Sequence, residues 1–201
     1  DLDPGKVPLI VDPDGASITA LKPDVVVDAI LAKKNFGTNR SMAPLTVGLG
    51  PGFTAGVDVD IVIETMRGHN LGRIIREGSA IPNTGIPGNI GGYTAERVIH
   101  AGAEGILYNV HKIGDIVEQG EEIAYIADEK ENRRYSVTAT IPGIIRGLIR
   151  DGYPATKGFK IADIDPRKSE LSNCFTISDK ARCIAGSVLE VVCAFGSNIL
   201  S

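Results

Sequence analysis

The feature that most constrains this chain is an internal repeat. Displaced by 38 positions, Gly105–Ile126 lies over Gly143–Ile164 without a gap. Gly105, Ile106, Gly114, Gly120, Ile123, Ala124 and Ile126 coincide with Gly143, Ile144, Gly152, Gly158, Ile161, Ala162 and Ile164. That is seven identities in 22 positions, where chance gives about one or two. Each copy reads as an apolar strand, a glycine turn, a short Val/Ala stretch, a second glycine turn and a closing apolar strand. One such hammerhead cannot bury its own apolar face. Two can close on each other about a pseudo-twofold axis, which hides the strand edges. The linker between the copies, Asp128–Arg134, is charged and reads as a solvated hairpin.

The first third reads as α/β. Val7–Val11 is a short apolar run that ends at the turn Asp12-Pro13-Asp14-Gly15. Val25–Val27 is β-branched and suits a buried strand. Leu45–Leu49 is another such run, and it empties into Gly50-Pro51-Gly52-Phe53-Thr54-Ala55-Gly56. Val57, Val59, Ile61 and Ile63 then alternate with Asp58, Asp60, Val62 and Glu64, the period of a strand with one buried face. Gly72–Arg76 reads as a further strand. Gly78–Gly92 holds five glycines and two prolines, a loop leading into the repeat. After Asp165-Pro166, Ser178 suits a helix N-cap and Asp179 its first turn. Ala181, Ile184, Ala185, Val188, Leu189 and Val192 recur at helical spacing. The predicted organisation is an α/β domain over residues 1–100, completed by a helix over 178–194, with the repeat module inserted over 101–167.

Ligand chemistry is sought where buried parallel strands end, because open α/β sheets bind ligands beyond their carboxyl edges. That places Asp28, Lys33, Lys34 and Asn35 after the valine run. Gly50, Gly52, Phe53 and Thr54 follow the next strand, and Glu64, Arg67, His69 and Arg73 follow the alternating one. Glycines let backbone N–H groups approach an anion, and Lys, Arg and His beside them suit a small anionic ligand. No Walker A pattern is present, so an anion-cradling loop and a plain glycine-rich turn both stay open.

A net charge of −4 argues against nucleic acid as a partner. No stretch approaches the roughly 18 apolar residues of a membrane span. No secretory leader opens the chain, which begins at Asp1 as a fragment or processed product would. Cys174, Cys183 and Cys193 are odd in number and late, so reduced thiols and a cytoplasmic location are expected. His69, His100 and His111 show no metal spacing, and no metal is expected; His111 reads as part of a hammerhead strand. No catalytic constellation stands out.

The doubled hammerhead resembles the barrel-sandwich hybrid of biotinyl and lipoyl domains. The fold class predicted is therefore an α/β (α+β) N-terminal part, a β-rich barrel-sandwich hybrid module and a C-terminal helix. Lys130 lies near the position of a lipoyl lysine. Its hairpin is long and lacks Met-Lys-Met, so no covalent biotin or lipoyl group is expected there.

A wider resemblance covers almost the whole chain. Pro23–Asn35, Gly48–Gly56, Ile63–His69, Lys160–Arg167 and Phe175–Ala181 are similar to the selenium-dependent molybdenum hydroxylase accessory proteins of YqeB type. The resemblance implies a maturation role, with a molybdenum hydroxylase or its maturation machinery as partner. It assigns no catalytic residue. Family members usually open with a glycine-rich strand-turn-helix that this chain lacks. Three functional readings remain: an accessory factor, an enzyme on a nucleotide or pterin phosphate completed by that missing unit, and a carrier or structural module. A homo-oligomer fits each of them.

Overall fold

The computed structural model describes residues 5–85, 88–128 and 132–197. The chain divides into two compact units, Asp1–Thr84 with Asp179–Ser201, and Gly85–Ser178.

In the first unit a short helix α1 (Ala16–Leu21) precedes β1 (Val25–Asp28). β2 (Leu45–Leu49), β3 (Thr54–Ala55), β4 (Ile61–Ile63), β5 (Ile74–Ile75) and β6 (Gly78–Ser79) follow, and α2 (Asp179–Gly196) completes it. The main sheet has the order β1-β2-β4-β5. β1, β2 and β4 are parallel, with Val25 opposite Leu45 and Leu49 opposite Ile63, and β5 runs antiparallel to β4. Both faces are covered. Leu45, Val47, Leu49, Ile61 and Ile63 pack under Ile184, Val188 and Val191 of α2. Val62 joins Phe53, Ala55, Val59 and Ala80 on the other side, where β3 and β6 form a two-stranded ribbon. β2 is buried along its whole length, as a strand covered on both faces requires.

Helix α2 comes close because of one glycine. A Cβ on Gly72 would stand 2.6 Å from the Cys183 sulfur and 2.9 Å from Ser187 Oγ. Instead the Ser187 hydroxyl donates to the Gly72 carbonyl at 2.6 Å, and the Cys183 thiol donates to the Leu71 carbonyl at 3.3 Å.

In the second unit β7 (Val98–His100), β8 (Gly105–Asn109), β9 (Ile116–Val117), β10 (Glu122–Asp128), β11 (Arg133–Thr138), β12 (Gly143–Leu148), β13 (Tyr153–Ala155) and β14 (Lys160–Asp165) form two four-stranded sheets. Their orders are β11-β10-β8-β13 and β7-β14-β12-β9. The short middle strand of each copy is lent to the other: β9 pairs with β12, and β13 with β8. Backbone bonds repeat at the same offset. Gly114 N–H donates to Ile145 O and Gly152 N–H to Leu107 O, both at 2.8 Å; Gly120 donates to Ala139 O and Gly158 to Ala101 O, again at 2.8 Å. A Cβ on Gly105 would collide with the Ala127 carbonyl, and one on Gly143 with that of Asp165. These glycines let the strands touch backbone to backbone. Leu107, Ile123, Ile126, Ile145, Ile161 and Ile164 belong to one core shared by both sheets.

The predicted fold class is corrected on two counts. The first unit is not built of strand–helix alternations. The chain is mostly strands in several sheets, with one long helix at its C-terminal end. Neither connection between the parallel strands holds an α-helix: the one after β1 carries a single 3-10 turn at Arg40–Met42, and the one after β2 runs through Gly50-Pro51-Gly52 into the short β3. Nor does the module close into a barrel: among the described residues no ladder joins the two sheets, so β7 and β11 remain edges and the barrel-sandwich hybrid is not formed. Two smaller expectations also change. Val7–Val11 lies in no strand, with Val7 and Val11 almost fully exposed, since Pro8 removes a ladder donor. The strand read over Val57–Glu64 shrinks to Ile61–Ile63, preceded by a turn in which Thr54 O accepts from Asp58 N–H at 2.9 Å.

Candidate functional site

Because β1, β2 and β4 are parallel, Asp28, Leu49 and Ile63 end at one edge of the sheet. The segments that follow them meet there. Gly50 adopts φ +84°, and a Cβ on it would stand 2.5 Å from Thr65 Oγ1; its N–H donates to Ile63 O at 2.8 Å. Gly52, at φ +111°, lies against the backbone of Lys34, which a Cβ would approach to 2.6 Å. Two glycines thus draw the Lys33-Lys34 segment and Thr65 onto the same rim. Phe53 is a buried plug of the layer below. Thr54 is tied by its N–H to Asp58 Oδ2 at 2.8 Å and by its hydroxyl to Ser79 at 3.0 Å, so both point away from the rim.

Several candidates are engaged in holding the loops. Asp28 is buried; it accepts from Ile30 N–H at 3.0 Å and from the Thr38 hydroxyl at 2.6 Å. Asn35 accepts from Gly37 N–H and donates to Thr38 O, both at 2.8 Å. Glu64 is 2% exposed. One of its oxygens accepts from Met66 N–H at 2.7 Å, the other from Ile81 N–H at 2.8 Å. It is a clamp between two chain segments. Lys34 Nζ rests 4.5 Å from the centre of the Phe36 ring. His69 and Arg73 are exposed, and Arg73 O accepts from Glu64 N–H at 3.0 Å.

Arg67 makes a two-pronged bond to Asp179, at 2.8 and 3.0 Å across 112 residues of sequence. The pair fixes the first turn of α2 at the rim. The Arg67 guanidinium, helped by Lys180 N–H, holds the Asp179 carboxyl well below the usual carboxylate range. Lys180 is half-buried. Burial, and then the positive charges of Arg67 and Lys33, push its ammonium below the ordinary lysine range, while Glu64 acts in the opposite sense. Sequence reasoning missed Lys180. It follows the recognised helix start Ser178-Asp179, but nothing local connects it to Arg67. The rim gathers Lys33, Arg67 and Lys180 beside two carboxylates already bound to backbone or to arginine. That arrangement can attract and orient a small anion.

A shallow cavity of about 250 Å³ lies at the opposite, amino edge of β2 and β4, lined by Pro44, Leu45, Asp60, Ile61, Arg76 and Phe195. Among the described residues no group of three His, Cys, Asp or Glu side chains could hold a metal ion, and no helix is long and apolar enough to cross a membrane. Lys130 lies outside the described residues.

No family model matches the chain. A curated relative, the uncharacterized protein YqeB of Escherichia coli strain K12, is 50% identical over 188 residues, 94% of this chain. Over that span the chain is similar to YqeB. It spans about a third of YqeB's length, 34%. Solved structures align over parts only. The succinylglutamatedesuccinylase/aspartoacylase of Rhodobacter sphaeroides is 21% identical with a TM-score of 0.33, over 35% of this chain and 22% of its own. The ectoine utilization protein EutE (DoeB) of Ruegeria pomeroyi gives 13% and 0.31, over 46% and 28%. An aspartoacylase family protein of Mesorhizobium loti gives 10% and 0.35, over 61% and 43%. Likeness this slight bears on neither the fold nor the chemistry of this chain.

Proposed function

We propose that this chain is part of an accessory factor that helps load selenium or cofactor into a selenium-dependent molybdenum hydroxylase, and that it holds a small anionic ligand at the Lys33–Arg67–Lys180 rim. The observation that carries the ligand half is the Arg67–Asp179 pair, which brings the first turn of α2 against the edge where β1, β2 and β4 end. The hydroxylase half is supported by the resemblance of Pro23–Asn35, Gly48–Gly56 and Ile63–His69 to accessory proteins of YqeB type. The protein partner is then the hydroxylase or its maturation machinery.

The test is genetic. Deleting the gene in its native host should lower hydroxylase activity and selenium content together. A Lys180→Met copy should restore neither fully. Full activity with normal selenium in the deletion strain would defeat the proposal. A second reading, an enzyme acting on a nucleotide or pterin phosphate, is favoured by the glycine-walled rim beside basic residues. A thermal-shift screen with nucleotides, pterin phosphates and selenium donors tests it, and no shift with any of them would count against it.

A further inference from the structure

The second unit carries a charged cluster unrelated to the rim. His111 lies in the turn just after β8, not within a strand as the sequence suggested. Its Nδ1 is 3.2 Å from Asp115 Oδ2, and its Nε2 is 3.1 Å from Glu121 Oε1. Each carboxylate is independently anchored. Lys112 N–H donates to Asp115 Oδ2 at 3.1 Å, and Glu118 N–H donates to Glu121 Oε2 at 2.8 Å. Lys112 N–H, working against burial and aided by the His111 ring, holds the Asp115 carboxyl below its usual range. Among the described residues, other charges beside the cluster include the Lys112 ammonium, which acts on Asp115, and Glu118, paired to Lys168 at 2.7 Å.

A neutral imidazole has one N–H. It can donate to one carboxylate, and its other nitrogen then turns a lone pair toward the second. Both contacts are favourable together only in the imidazolium form. Asp115 and Glu121 bracket β9, the two-residue strand lent to β12. Gly114, in the same turn, lies under the Phe175 ring, which a Cβ would approach to 2.8 Å.

We propose that His111, Asp115 and Glu121 form a proton-operated staple that fastens both ends of β9 when the imidazole carries two protons and releases one end when it carries one. Release loosens β9 on β12 and the seat of Phe175 on Gly114. Glu121→Gln separates this device from an ordinary surface contact. The amide oxygen can keep the Glu118 N–H bond, and the amide N–H can donate to a neutral Nε2, so the staple should hold without the second proton.

The experiment is hydrogen exchange on the full chain at pH 5.5 and pH 8, corrected for intrinsic rates. In the wild type, peptides spanning 110–122 should lose protection about three- to tenfold at the higher pH, while peptides from β2 should not change. In Glu121→Gln the step should shrink to under about twofold, with protection kept at pH 8. The proposal is overturned by equal wild-type protection at both pH values, by a step shared equally with β2, or by an undiminished step in Glu121→Gln. The wild-type comparison stands even where the variant folds poorly.

Discussion

Replacing Glu64 with glutamine tests whether this carboxylate is a structural clamp or a ligand group. In the native chain its two oxygens accept from Met66 N–H at 2.7 Å and from Ile81 N–H at 2.8 Å, at 2% exposure. Glutamine keeps one acceptor. Its NH2 group must face the other N–H, donor against donor. One charge-assisted bond is lost, worth about 1.5–3 kcal/mol, and a buried N–H is left without a partner, at about 1–3 kcal/mol. The two overlap, so the expected cost is about 2–4 kcal/mol. For a unit of roughly 100 residues each kcal/mol lowers Tm by about 4–8 °C, so the melting point of the first unit should fall on the order of 10–20 °C. Thermal and urea unfolding followed by circular dichroism measure this directly. A Tm within about 2 °C of the wild type, with an unchanged urea midpoint, would refute the clamp and return Glu64 to the ligand candidates.

Gly72→Ala should also destabilise the first unit, by about 2–3 kcal/mol. The new Cβ meets the Cys183 sulfur at 2.6 Å, and φ is +78°, itself about 1–2 kcal/mol for a non-glycine residue; Cys183→Ala in the same chain should recover part of the loss in urea unfolding. Asp165 governs the acid limit of the second unit. It is buried, and the Arg167 guanidinium, foremost, and that of Arg146 hold its carboxyl far below 3.8. The folded state thus has the lower pKa. The stability this contributes is complete above the ordinary carboxylate range and is lost as pH falls below it. Arg146→Met should move the acid transition of the second unit to higher pH, and an unmoved transition would count against this role.

The repeat was legible because its glycines answer a backbone requirement. Gly105 and Gly143 sit where a Cβ would strike the carbonyls of Ala127 and Asp165, and no other residue type fits at both. Whether the sheets close was not legible, since closure depends on how far β7 and β11 stand apart. The α/β reading of the first third does not hold in its crossovers, where Gly50, Pro51 and Gly52 already speak against a helix. Val62 misled the strand reading, because period-two patterning assumes one solvated face and this sheet is covered on both. At the site, Arg67 was recognisable as a charge following a strand. Its partner Asp179 and neighbour Lys180 were not, because no local pattern encodes a bond across 112 residues.

The lending of β9 to β12 and of β13 to β8 binds the histories of the two copies together. Neither half owns a complete hydrogen-bonded framework, so a change in the Ile116–Val117 stretch is felt first by the opposite copy. Duplicated segments usually drift apart once each can stand alone. Here such independence is closed off: Gly114 and Gly152, identical in the two copies, are the points at which each copy donates to the other.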